Sequence, residues 1–110
     1  MTRTELIQKY PYLDKYVSCG WYKLLDQLFS YIESIINKDE IEIKQIKNKF
    51  GSLRIYLNYK PSVIPDTRDL IDKKIGLIER ASHEACEECG ELGRLTNLGG
   101  FYTCRCQNCK

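Results

Sequence analysis

The chain has 110 residues, 43% apolar and 29% charged, with a net charge of +2. These totals fit one soluble globular domain, with or without a metal-stapled appendage. With no run of about eighteen apolar residues and no basic-then-apolar leader, the sequence points away from a membrane span or a secretory signal.

Thr2-Arg3-Thr4-Glu5 reads as a capping box opening a short helix that Pro11 stops. Tyr10, Tyr12 and Tyr16 with Pro11 then make an aromatic, irregular link to Ser18-Cys19-Gly20. From Trp21 through Leu24, Leu25, Leu28, Phe29, Ile32, Ile35 and Ile36, apolar residues recur at helical period and predict the longest amphipathic helix. Ile41-Glu42-Ile43-Lys44 alternates and starts a strand, and the phase slips between Ile43 and Ile46, which predicts a bulge or an early end. Leu53, Ile55, Leu57 and Tyr59 alternate with Arg54, Tyr56 and Asn58 in a second strand. Between the strands, Asn48-Lys49-Phe50-Gly51 supplies a turn in which Gly51 is free to take a positive φ. The apolar face of the second strand is expected to lie on the long helix.

After Pro61 and Pro65, Asp66 or Thr67 is placed to cap a helix with Ile71, Ile75, Ile78 and Ala85 on one face, running into Cys86. A knuckle at Cys86–Gly90, a strand near Arg94–Thr96, a turn at Gly99-Gly100 and a return strand from Phe101 follow. The fold class is therefore α+β: a long helix packed on a β-hairpin, then a helix and a C-terminal four-cysteine zinc ribbon. Residues 1–65 carry the helix and basic hairpin, and residues 66–110 the second helix and ribbon, joined as one compact unit.

Cys86, Cys89, Cys106 and Cys109 form C-x2-C, sixteen intervening residues and a second C-x2-C, the spacing of a four-thiolate Zn²⁺ site. A two-residue loop suits a tetrahedral ion better than a disulfide, which places the chain in a reducing cytoplasm. Cys104 is an alternative ligand to Cys106, but the matched C-x2-C pairs favour Cys106. Four sulfur ligands leave no open coordination position, so the zinc is expected to be structural. Arg94 and Arg105 are placed to offset the site's negative charge. Glu87, Glu88 and Glu91 surround the first knuckle with carboxylates that repel phosphate. His83 reads as a helix-end residue and Cys19 as a small buried one.

Anion chemistry is better placed upstream. From Lys44 to Lys60 the chain has five cations and no acid. Lys47, Lys49, Arg54 and Tyr56 share a predicted outward hairpin face that combines charge for phosphates with a ring for stacking. The same pattern also describes a solvated sheet face with protective edge lysines. Backbone N–H groups at Gly20-Trp21 offer a further place for an anion, although Trp21 reads more simply as the first core residue of its helix. Asp66, Asp69 and Asp72, spaced at i, i+3 and i+6, suit Mg²⁺-dependent chemistry. More often that pattern complements a helix dipole, and the chain reads as a non-enzyme.

Cys19-Gly20-Trp21, the string Ile46-Lys47-Asn48-Lys49-Phe50-Gly51-Ser52-Leu53-Arg54-Ile55-Tyr56, Cys86-x2-Cys89-Gly90, Gly93-Arg94-Leu95, Gly99-Gly100-Phe101 and Cys106-x2-Cys109 together resemble a group of small phage and prophage zinc-ribbon proteins. Those proteins carry a Lys-x-Lys-Phe-Gly-x-Leu-Arg hairpin. The resemblance covers about Cys19 to Cys109, supports Cys106 and Cys109 as ligands, and departs at the helix start, where an acidic residue often stands between two glycines. It implies a mobile-element setting in a bacterial host cytoplasm and carries no reaction across. The expected function is a non-enzymatic accessory or counter-defence factor that binds nucleic acid or a nucleotide signal through the hairpin. The other expectation is an inhibitor of a host nuclease or polymerase, acting through the ribbon and the acidic helix.

Overall fold

The computed structural model describes residues 1–109. Helix α1 (Arg3–Lys9) begins with the Thr2/Glu5 capping box, both reciprocal bonds being present. Pro11 does not leave an irregular link after it. It starts a five-residue helix, α2 (Tyr12–Tyr16), because its fixed φ of −57° is already helical. A single 3₁₀ turn at Cys19–Trp21 leads into α3 (Tyr22–Ile35), whose stripe of Leu25, Leu28, Phe29 and Ile32 is buried.

Strands β1 (Ile41–Lys49) and β2 (Ser52–Tyr59) pair antiparallel, and their register shifts between Ile43 and Gln45, where the apolar phase slips. Helix α4 (Pro65–Ser82) starts earlier than Asp66 or Thr67, with Pro65 in the first turn, where its missing N–H is not needed. It ends at Ser82 with His83 as cap, one turn short of Cys86. Strands β3 (Arg94–Leu98) and β4 (Phe101–Arg105) form a second two-stranded sheet turned by Gly99 and Gly100, both at positive φ.

Apolar side chains from α1, α3, β1, β2 and α4 meet in one core that includes Leu6, Trp21, Leu28, Phe29, Ile46, Leu53, Ile71 and Ile78. Helix α4 covers the free edge of β2: Ser82 Oγ accepts the Leu53 N–H at 2.8 Å and a Glu79 carboxylate oxygen accepts the Ile55 N–H at 2.8 Å. Two backbone donors that would otherwise be buried without partners are satisfied by side chains. The molecule is elongated, 45 × 26 × 19 Å, with the ribbon sheet outside this apolar core.

Candidate functional site

The four expected ligands converge. The sulfur atoms of Cys86, Cys89, Cys106 and Cys109 all lie within 4.8 Å of one another, Cys89 and Cys106 at 3.6 Å, and all six cysteines are free thiols. Tetrahedral Zn–S bonds of about 2.3 Å would set sulfurs about 3.8 Å apart, so the cluster has the dimensions of a metal site. Each pair sits on a tight turn. Gly90 N–H donates to the Cys86 carbonyl at 2.9 Å with Gly90 at φ +82°, and Cys109 N–H donates to the Cys106 carbonyl at 3.2 Å. Burial alone would push the Cys86 thiol up, but N–H groups of Cys89, Cys106 and Glu88 outweigh it and hold the thiol down at about 6. The neighbouring Cys106 and Cys86 sulfurs push Cys109 up to about 12, the mutual penalty that a shared dication would remove. Cys104 is buried apart from the cluster, its Sγ 3.3 Å from the His83 carbonyl, and burial followed by the Glu87 charge raises it to about 11.

The acidic knuckle is not the open carboxylate cluster that its sequence suggests. Glu87 is 4% exposed, and its carboxylate accepts from Asn48 Nδ2 and Thr103 Oγ1. Its backbone N–H donates to the Cys104 carbonyl at 2.9 Å and its carbonyl accepts the Gly20 N–H at 2.7 Å. One residue thus ties the ribbon to the 3₁₀ turn before α3 and to the tip of the first hairpin. Burial raises its carboxyl pKa, with Arg105 opposing. Glu88 is paired with Arg105 at 2.7 Å, so Arg105 balances this carboxylate, and Arg94 is exposed.

The Gly20 N–H is therefore committed and does not meet an anion. Trp21 is buried, its Nε1 donating to the Ala85 carbonyl at 3.0 Å. Cys19, expected inside, is exposed, because the turn that presses Gly20 against the knuckle points its predecessor outward. Asp66, Asp69 and Asp72 are all exposed, and Asp72 accepts from the Tyr59 hydroxyl at 2.7 Å. Among the described residues the metal-capable cluster is the four cysteines alone.

On the first hairpin, Lys47 stands opposite Arg54, Lys49 opposite Ser52 and Gln45 opposite Tyr56. Directly paired residues share a face, so the register puts Lys47, Lys49, Arg54 and Tyr56 on one side. Among the described residues none of the three cations is in an ion pair. Lys49 and Arg54 line a cavity of about 180 Å³ closed by Phe50, His83 and Leu95. The Nε of Arg54 is itself buried, with no hydrogen-bond partner among the described residues. Tyr56 borders a different depression, beside Lys44 and Asp72.

Phe50, His83, Leu95 and Tyr102 complete this junction, and none of them was singled out by the sequence as part of an anion site. Phe50 has φ +54° and Gly51 φ +80°, the two left-handed positions of a type I′ turn. Gly51 suits its place, whereas a phenylalanine in the left-handed region costs about 1–2 kcal/mol. Phe50 is 70% exposed and makes an edge-to-face contact with Tyr102, 6.3 Å away between centroids. Counting two turn residues between Lys49 and Ser52 is the sequence signal that would have found it. No protein-family model matches this chain, and no curated protein or solved structure matches it.

Proposed function

We propose that this chain is a non-enzymatic binding protein in which Cys86, Cys89, Cys106 and Cys109 hold a structural Zn²⁺ and the basic hairpin takes an anionic partner, nucleic acid or a nucleotide. The observation that carries the reading is Arg54, whose Nε is buried without a described partner and whose side chain lines one cavity with Lys49, a cation in no described ion pair. A buried cationic donor is costly unless an acceptor meets it, and a phosphate oxygen is such an acceptor. The zinc would staple the ribbon and leave no coordination position for activated water. A phage or prophage setting, with an accessory or counter-defence role in the host cytoplasm, rests on the resemblance of the hairpin and cysteine motifs. Consistent with that setting, no described helix is long and apolar enough to cross a membrane.

The test is titration of purified protein with nucleotides and oligonucleotides at several salt concentrations. Arg54→Ala and Lys49→Ala are expected to weaken association and flatten its salt dependence. Unchanged binding in both variants would remove the hairpin from the reading.

A second reading, inhibition of a host nuclease or polymerase by protein contact, is favoured by Leu92 and Phe101, 77% and 79% exposed on the ribbon. It requires a stoichiometric complex that survives nuclease treatment and is lost on Phe101→Ser. Charge reversal at Glu87 is unsuitable as a probe, because that side chain is interior.

A further inference from the structure

The shared face of the hairpin is longer than a single anion needs. Starting at Tyr56, it passes the Lys47–Arg54 pair, reaches Lys49 and ends at Phe50, beside Tyr102 on β4. Lys47 and Lys49 lie two residues apart, about 6.6 Å at strand rise, with Arg54 across from Lys47 and an exposed aromatic at each end. In the middle lies the cavity lined by Lys49 and Arg54, at about 180 Å³ large enough for a phosphate, and the Arg54 Nε is buried without a partner among the described residues. Phe50 is held at its edge by a left-handed backbone that the turn would adopt more readily with glycine.

From this arrangement we infer that the hairpin and ribbon together seat a single-stranded nucleic acid. One phosphate enters the Lys49–Arg54 cavity, and a neighbouring unpaired base stacks on Phe50, with Tyr102 supporting that ring from the side. The inference deepens the anion-binding reading and rests on it. Duplex is disfavoured because its bases are already stacked and their faces are not available to Phe50. A free nucleotide is disfavoured because it would use only one end of the track. Stacking tolerates any base, so recognition is of strand character more than of sequence.

The experiment uses the full-length metal-loaded protein and fluorescence anisotropy with labelled oligo(dT) and oligo(U) of about fifteen nucleotides. A duplex of the same length and a nucleoside triphosphate are the competitors. The DNA and RNA arms decide which strand chemistry is preferred. The expected result is tighter binding of a single strand than of either competitor. Phe50→Gly should remain as thermally stable as the parent and bind the strand about tenfold more weakly. Tyr102→Ser, at an exposed position, is the second probe of the same platform. Arg54→Ala should weaken binding and lower the salt slope by about one.

If duplex or nucleotide binds equally well and Phe50→Gly has no effect while Arg54→Ala does, the strand inference is overturned and the anion reading stands. If none of these anions binds and Arg54→Ala changes nothing, both are overturned.

Discussion

A Cβ at Gly20 would stand 2.0 Å from the Cys86 carbonyl oxygen and 2.6 Å from the Glu87 carbonyl carbon and oxygen. The reciprocal approach is nearly as close, since a Cβ on Gly90 would fall 2.9 Å from the Gly20 carbonyl oxygen. Two glycines therefore let the turn before α3 and the first metal knuckle meet backbone to backbone. Gly20→Ala has to separate them, breaking the Gly20–Glu87 bond and shifting the residue next to a ligand. Overpacking of this kind typically costs about 1–3 kcal/mol, and rigid backbone on the far side puts this case at the upper end. Urea denaturation should show that loss, together with faster release of bound metal to a chromogenic chelator. An alanine variant with parental stability and parental metal release would mean that the two loops are not held together.

At the scale of elements, α1 is fastened to α3 by a small polar cluster over an aromatic stack. Glu33 accepts from Lys9 Nζ at 2.8 Å and from the Tyr10 hydroxyl at 2.8 Å, and Tyr10 stacks on Phe29 with centroids 4.1 Å apart. Desolvation pushes the Glu33 carboxyl up, but bonds from Lys9 and Tyr10 more than offset it and hold the carboxyl below its ordinary 4.5. A carboxylate held low in the folded state contributes stability that is complete above its unfolded value and disappears as pH falls through the folded one. Glu33→Gln is thus expected to cost about 1 kcal/mol at pH 7, with the gap to the parent closing below about pH 4.5. Paired urea midpoints across that range check it, and a gap independent of pH would assign the effect to packing alone.

The elements that the sequence made legible are those with local causes. The Thr2/Glu5 box, the α3 stripe, the slip after Ile43 and the Gly99-Gly100 turn each carry their signal within a few residues. The four cysteines were equally readable, because ligand spacing is a local property. What escaped was set by distant contacts. Glu87 resembles a surface acid until Asn48 and Thr103 close over it, and the turn's sequence asks for a positive φ only at Gly51 until the register puts Phe50 in the left-handed region as well. Cys19 faces out because of a contact about seventy residues further along the chain, which no periodicity encodes.

For the whole molecule the question is how much would depend on a metal held by the four cysteines. The buried apolar cluster draws on α1 to α4 and the first hairpin, and among the described residues none beyond Ala85 belongs to it. The ribbon is joined to it instead by polar bonds through Glu87, Trp21 and Gly93, whose N–H donates to the Glu84 carbonyl at 2.8 Å, and a metal on the four clustered cysteines would add to these. Structural zinc contributes about 10–16 kcal/mol in apparent binding, comparable to the roughly 5–15 kcal/mol of an entire domain. Stripping the metal with a chelator under reducing conditions should therefore unfold Arg94–Arg105 while leaving α3 and α4 helical. Because Gly20 and Asn48 are bonded to the first knuckle, loss of order should also reach the 3₁₀ turn before α3 and the Asn48–Gly51 tip. Hydrogen exchange on the stripped protein would then show fast amides at Gly20, Gly51 and throughout β3–β4, with slow ones retained from Leu25 to Ile32. In that state Lys49 and Arg54 should lose the Leu95 wall of their cavity, and the proposed anion affinity should fall although neither residue belongs to the cysteine cluster. Continued protection of β3–β4 without metal would show that the polar bonds alone suffice to hold the ribbon in place.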